Sequence, residues 1–455
     1  MRGLVLGCII EIMNKKPNVI VFFTDQQRWD TTGIHGNPLE LTPNFDRLAQ
    51  GGTHCFYAFT SQPVCAPARA CLQTGKYATT TGVYRNGITL GSEHKTLAHC
   101  FKEAGYNTGY IGKWHLASKD PVPRDEQGSY DFWLGANALE HTSDTYKTIM
   151  YDKDGKEVFL PGYRVDAMTD AAIRYVDEHK ENPFFLFLSY LEPHHQNHVD
   201  DYPPPDGYRQ RYTGRWVPGD LASLGGSSAW HLGGYFGMVK RLDEALGRLM
   251  DALKSMGEIE NTIVLFTTDH GNHFKTRNNE YKRSCHEASI RIPLALWGPG
   301  FNDGGCVSDL VSLVDMPPTL LDAAGLPIPK EMEGRSILDG RKDWPDDVFI
   351  QISESQVGRA VRTKRWKYGV TAANGNGWSD KDAQVYTEQY LYDLEYDPHE
   401  QVNLTGYASH KEVSKKMGER LLAYIEKVEG KKASINQSSE VKSGQRIVSP
   451  DEVLK

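Results

Sequence analysis

The stretch SQPVCAPARACLQTGKY, Ser61 to Tyr77, sets a thiol at Cys65, two residues before Pro67 and four before Arg69. A helix opening at Cys65 fits this spacing, because proline is tolerated in a first turn and Gly75 supplies a stop. The first turn of such a helix presents free N–H groups and the positive end of the helix dipole, which favour an anion. Arg69, one turn further on, adds a guanidinium that stays charged and matches the geometry of an oxyanion. A cysteine among small residues is by itself an ordinary buried apolar group. That account leaves the arginine unexplained, so the stretch reads as an anion site with a cysteine at its edge.

Other residues able to do chemistry follow short apolar runs. Asp25 follows NVIVFFT (18–24), Lys113 and His115 follow TGYIG (108–112), His194 and His195 come shortly after FFLFLSY (184–190), and Asp269 and His270 end TIVLFTT (262–268). These runs, with PLALW (293–297), predict buried parallel strands. Helical patterns fall between them. TPNFDRLAQGG has Thr42 as N-cap, Pro43 at the first helical position and Gly51 as a stop, and a longer stripe of Phe236, Val239, Leu242, Leu246, Leu249 and Leu253 predicts a helix over 235–256. Strands alternating with helices predict an α/β fold, a large and mostly parallel central sheet flanked by helices. Ligands of such sheets bind beyond the carboxyl ends of the strands, so these polar clusters should converge on one crevice. Any one of them could be a helix cap or a structural histidine; four together point to a site.

The 455 residues exceed the size at which one core stops growing, so a large domain with a smaller companion is expected. A net charge of −8 without a basic block argues against nucleic-acid binding. The seven cysteines, Cys8, Cys55, Cys65, Cys71, Cys100, Cys285 and Cys306, show neither metal-ligand pairs nor a disulfide framework, so reduced thiols are expected. Near the N-terminus the run Leu4 to Ile10 and the segment VLGC look faintly like a lipoprotein leader, but the run is short and Glu11 follows at once, which favours a start at Met13. No segment reaches the ~20 apolar residues of a membrane span. A soluble protein in the cytoplasm is the expectation.

Cys65-Ala66-Pro67-Ala68-Arg69 matches the C-x-P-x-R signature of type I sulfatases, members of the alkaline phosphatase superfamily. PNVIVFFTDQQ resembles that family's first metal-binding strand, GYNTGYIGKWHL its Lys/His motif, TTDHG its second metal motif and YKRSCHEASIRIP its lysine-bearing segment. VDMPPTLLDAAG and YLYDLEYDPHEQVNL are also similar to family segments, the latter typical of a smaller C-terminal subdomain. The resemblance implies an alkaline phosphatase-like catalytic domain over 13–345, a smaller α+β subdomain over 346–430 and a polar tail over 431–455. The tail lacks an apolar pattern and is expected to be loosely attached.

The resemblance also implies roles. Cys65 would be converted by a formylglycine-generating maturation enzyme to Cα-formylglycine, whose aldehyde hydrate is the nucleophile. The metal ligands would be Asp25, Gln26, Asp269, His270 and an oxygen of modified Cys65. Calcium is the first choice of ion, with magnesium or manganese as alternatives. Lys113 and Lys282 would neutralise sulfate oxygens, and Arg69 would hold the hydrate. His115 would take the hydrate's proton. His194 would protonate the leaving oxygen, with His195 and His198 as nearby rivals. Ala68 replaces the family's usual small polar residue, Lys76 stands where arginine is common, and Gln196 replaces a proline often found two residues after the catalytic histidine.

Substrate selection should lie between the motifs. His273, Arg277 and His286, in a loop dense in polar groups suited to a sugar, are candidate substrate contacts, with Arg85 and Asn86 of TGVYRNG; solvated surface is the plain alternative for each. Arg359 and Arg362, in a stretch that alternates like an antiparallel strand, are either exposed charges or further contacts. The resulting expectation is a sulfuric ester hydrolase acting on a sulfated carbohydrate. A phosphodiesterase or phosphonate monoester hydrolase of the same superfamily is the alternative, and an inactive glycan-binding relative is disfavoured by the intact motif set.

Overall fold

The computed structural model describes residues 15–340 and 343–446. Cys8, Met13 and the lipoprotein-like segment lie outside them. The described residues build two sheets. The larger holds β1 (Asn18–Thr24), β2 (Thr53–Phe59), β3 (Asn107–Lys113), β4 (Phe132–Ala136), β5 (Lys147–Asp152), β6 (Glu157–Pro161), β7 (Phe184–Ser189), β8 (Thr262–Thr268), β9 (Ala295–Trp297) and β10 (Gly305–Ser312). Their order is β10-β2-β9-β8-β1-β7-β3-β4-β5-β6.

β1 lies between β7 and β8, parallel to both, and β3 runs parallel to β7 on its other side. Every residue of β1, β7 and β8 is buried, as continuous apolar runs require of strands covered on both faces. One apolar layer joins β1 and β7 to the helix Cys65–Thr74 (α1), where Val21, Phe23 and Phe187 meet Ala66 and Ala70. The other packs Ile20, Phe22 and Leu186 against Leu242, Leu246 and Leu249 of the helix Ser228–Ser255 (α2). This second helix begins seven residues before the predicted start, because Ser228 to Gly234 lack the apolar spacing yet continue the helical turns. Asp243 of α2 accepts hydrogen bonds from the Asn44 and Phe45 N–H groups, so it caps the helix Pro43–Gly51 that Thr42 introduces.

PLALW corrects one expectation. Its strand is confined to Ala295–Trp297 and pairs antiparallel with both β2 and β8. Pro293 has no N–H to offer a ladder, and an apolar run carries no sign of its direction.

The smaller sheet orders β11 (Asp347–Ile352), β12 (Gly358–Thr363), β13 (Trp366–Thr371), β14 (Val385–Asp393) and β15 (Ser434–Asn436), with the helix Lys411–Glu429 (α3) against it. The stretch RAVRTKRWKYGV is a hairpin of β12 and β13. Arg359 and Arg362 are buried and pair with Glu429 and Glu287, so they are neither exposed charges nor site residues. The described part of the tail, up to Arg446, is likewise held: β15 pairs with β14, and Ser438 N–H and Lys442 Nζ donate to Glu388. Its polar composition reflects an edge strand bound through backbone and side-chain hydrogen bonds, which leave no apolar signature. Among the described residues no helix is long and apolar enough to cross a membrane.

Candidate active site

Four adjacent parallel strands deliver four clusters to one end of the sheet. Asp25 and Gln26 leave β1, Lys113 closes β3, Ser189 closes β7 and Asp269 and His270 leave β8. Gly112, at φ 114°, precedes Lys113, and a Cβ there would collide with the Ser189 carbonyl. The absence of a side chain lets the ends of β3 and β7 meet.

Cys65 opens α1, and Gly75 ends it at φ 68° in the left-handed region. The Cys65 Sγ lies 2.8 Å from Lys282 Nζ, 3.4 Å from His270 Nε2 and 3.8 Å from Asp25 Oδ1. His115 and His194 also interact with the thiol. Burial would raise its pKa, but Lys282, Lys113 and His270 pull it well below the ordinary thiol value. The position is therefore built for an anionic atom.

Arg69 serves as the hub beneath. Its Nη1 donates to the Lys113 carbonyl and to Ser189 Oγ, and its Nη2 reaches Asp25 Oδ2 at 2.8 Å and Asp269 Oδ2 at 3.5 Å. Lys113 Nζ bridges Asp25 Oδ2, at 2.9 Å, and Glu140 Oε1, at 3.0 Å. Burial works against ionisation of Asp25, yet Lys113, His194 and Arg69 outweigh it and hold its carboxyl below the usual range. Burial and the neighbouring Asp25 instead push Asp269 up to about 6. Two carboxylates this close cannot both ionise comfortably unless more positive charge joins them.

The donor set fits a divalent cation. Asp25, Cys65, Asp269 and His270 each offer a ligand atom, all within 4.8 Å of one another. His270 Nδ1 lies 2.9 Å from the Gly271 carbonyl, which can only accept, so Nδ1 carries the proton and the Nε2 lone pair faces the cluster. Gln26, held at φ 67°, donates from Nε2 to Tyr202 Oη while its Oε1 accepts from Lys282. A phenol that also accepts from Asn272 thus fixes which end of the Gln26 amide faces inward.

Of the three neighbouring histidines, His194 interacts with Cys65. Its Nδ1 donates to the His195 carbonyl, and burial, then Lys282, lowers its proton affinity. His195 stacks on His194 and packs against Tyr281, and His198 is mostly exposed and pairs with Asp144. Gln196 is buried and donates to the Glu140 and Ser143 carbonyls, which secures the segment without a proline.

The substrate candidates are placed differently. Asn86 Oδ1 accepts from the Ala66 N–H, so Asn86 caps the helix that presents Cys65. Arg85 is half-buried and donates to the Asn86 carbonyl. His273 and His286 are fully buried, bonded to the Lys282 carbonyl and to Tyr392 Oη respectively. Arg277 donates to the carbonyls of His399, Glu400 and Gly444. These three serve the packing of the Lys282 loop against the smaller sheet and the tail, and the structure does not bring them to Cys65. Glu140 and Tyr202 are site residues that sequence reasoning missed. Glu140 follows β4 and so obeys the strand-end rule, but β4 itself was not recognised.

The fold and this cluster describe an α/β enzyme whose buried site receives an anionic group. The sulfatase family model matches residues 17–326, and a model described as N-sulphoglucosamine sulphohydrolase, C-terminal, matches 279–427. The chain belongs to the sulfatase family and is a sulfuric ester hydrolase. It is 31% identical over 401 residues to an ulvan-active sulfatase of Formosa agariphila, covering 83% of this chain and 77% of that one. It is 25% identical to an N-acetylglucosamine-6-O-sulfatase of Bacteroides thetaiotaomicron, covering 89% of this chain and 85% of the relative. A structure solved in complex with its substrate D-glucosamine-2-N,6-O-disulfate superposes with a TM-score of 0.75 over 91% of this chain and 99% of its own, at 24% identity, a likeness of fold.

Proposed function

We propose that this sulfatase removes sulfate from a sulfated carbohydrate, with Cys65 oxidised to formylglycine by a maturation enzyme and a divalent cation held by Asp25, Gln26, Asp269, His270 and an oxygen of the modified Cys65. The observation that carries this is the setting of Cys65 Sγ, which stands where the oxygens of the oxidised side chain would be, under Lys282 Nζ and beside two buried carboxylates. That two relatives are named for glycan sulfates supports the carbohydrate class.

Calcium suits the oxygen-rich set, and magnesium or manganese would serve the same ligands. When bound, such a cation supplies Lewis-acid stabilisation of the ester's oxygens. The hydrated aldehyde at Cys65 supplies the attacking oxygen. The chain does the rest. Lys113 and Lys282 take the charge of the sulfate oxygens, and Arg69 holds the nucleophile's side of the site. His115 accepts a proton from the second hydroxyl of the hydrate, so that the sulfated side chain expels sulfate and returns to the aldehyde. His194 offers only Nε2 to the leaving oxygen, because Nδ1 is committed to the His195 carbonyl. Its depressed proton affinity makes it a ready donor once protonated. Cys65, Cys71, Cys100, Cys285 and Cys306 are thiols outside any disulfide, which suits the cytoplasmic location we propose.

The test is a panel of sulfated mono- and oligosaccharides, an aryl sulfate, an aryl phosphodiester and a phosphonate monoester, offered to the matured protein. Free sulfate from at least one sugar is expected. Cleavage of the phosphorus esters alone would overturn the proposal.

A further inference from the structure

Glu140 is the charged side chain of the site for which sulfate ester cleavage assigns no task. It sits on the short helix Leu139–Thr142 just after β4, and only 5% of it is exposed. Its Oε1 lies 3.0 Å from Lys113 Nζ, while Oε2 has no hydrogen-bond partner among the described residues. Its other titratable neighbours are His115, His194 and Asp25, which ring Cys65. Burial disfavours its charge, but Lys113 and the two histidines hold its pKa down at about 2, so it is a carboxylate at neutral pH.

Asp25, Asp269 and Glu140 face Arg69, Lys113 and Lys282 around Cys65, and the divalent cation proposed above would add two positive charges to this set. Glu140 lowers by one the positive surplus that meets the ligand. A sulfate monoester brings one negative charge, a phosphate monoester about −1.5 to −2 at neutral pH, and the released sulfate ion two. The repulsion from a fixed carboxylate doubles when the ligand's charge doubles, and a buried pair is weakly screened by salt.

We propose that Glu140 is a specificity-determining residue that fits the site to monoanionic sulfate esters and disfavours dianions, both phosphate monoesters and the sulfate product. This rests on the sulfate-ester function proposed above and names the charge class that function accepts. A carboxylate that merely positioned Lys113 would support all ligands alike, whatever their charge.

Glu140→Gln separates the two roles, because the amide oxygen still accepts from Lys113 while the charge is gone; Glu140→Asp keeps the charge. On matured protein, kcat/KM is measured for an aryl sulfate and the matching aryl phosphate. Binding of sulfamate, a monoanion, and of inorganic sulfate, a dianion, is measured by calorimetry, which needs no turnover. Glu140→Gln is expected to raise the phosphate-to-sulfate ratio, and the affinity for sulfate relative to sulfamate, by about tenfold or more. Glu140→Asp, which keeps the charge, should keep both ratios near those of wild type whatever its absolute rate. Unchanged ratios in Glu140→Gln, or equal behaviour of the two variants, would overturn the role of Glu140. A wild type that releases no sulfate from any ester would instead overturn the function on which the role depends.

Discussion

Replacing Lys282 by alanine removes the cation closest to Cys65 without disturbing its support. The Lys282 backbone carbonyl is anchored by His273 Nε2 at 3.0 Å and Asn278 Nδ2 at 3.1 Å, neither of which involves the side chain. What is lost is the ammonium, 2.8 Å from Sγ and 3.2 Å from Gln26 Oε1. A charge-assisted hydrogen bond is worth about 1.5–3 kcal/mol, which corresponds to roughly tenfold to a hundredfold in rate. The loss should fall on the monoester. A sulfate monoester presents three terminal oxygens, and each can meet the cation, Lys113 or Lys282, whereas a diester puts a substituent where one such oxygen would meet a lysine. The assay is kcat/KM for a sulfated sugar, an aryl sulfate and an aryl phosphodiester on wild type and Lys282→Ala. The two sulfates should fall by that amount and the diester by less. An equal fall for all three, or none, would refute the assignment of Lys282 to the sulfate group.

Three further outcomes follow from the geometry. His194→Ala should slow a sugar sulfate far more than an activated aryl sulfate, whose leaving group hardly needs a proton, while His195→Ala should not discriminate between them; rate ratios on the two substrates decide it. Exhaustive chelation should silence the enzyme, and Asp269→Ala should do so beyond rescue by added metal, with Gln26→Asp better tolerated; elemental analysis alongside activity checks this. Arg277→Ala removes donors to three carbonyls, those of Glu400 and Gly444 buried, and should cost about 3 kcal/mol of stability, lowering the thermal midpoint while leaving KM near wild type. A raised KM at an unchanged midpoint would return Arg277 to the substrate contacts.

The strands that carry the site were legible because β1, β3, β7 and β8 are central and buried, so their runs are apolar and the polar residues after them stand out. The edge of the sheet was not. β5 and β6 are half-exposed, β4 is short, and with β4 went Glu140, which bonds Lys113 of the site. Burial of charge is the second blind spot. Arg277 reads in the sequence as a substrate contact, and Arg359 and Arg362 as exposed charges or further contacts, yet each is buried against carbonyls or a carboxylate from a segment distant in the chain. Such pairing leaves no local periodicity. The same holds for Asn86, whose residue type suggested a ligand contact and whose position makes it the cap of the helix bearing Cys65.

The central claim is that chemistry runs through an oxidised Cys65. The most direct measurement is peptide mass spectrometry of the Ser61–Tyr77 region in a preparation of known specific activity, made with and without a maturation enzyme, beside Cys65→Ala. Activity should rise in proportion to the fraction of formylglycine, and Cys65→Ala, which adds no strain at a helix start, should be folded and inactive. Full sulfatase activity with unmodified cysteine at position 65 would contradict the account.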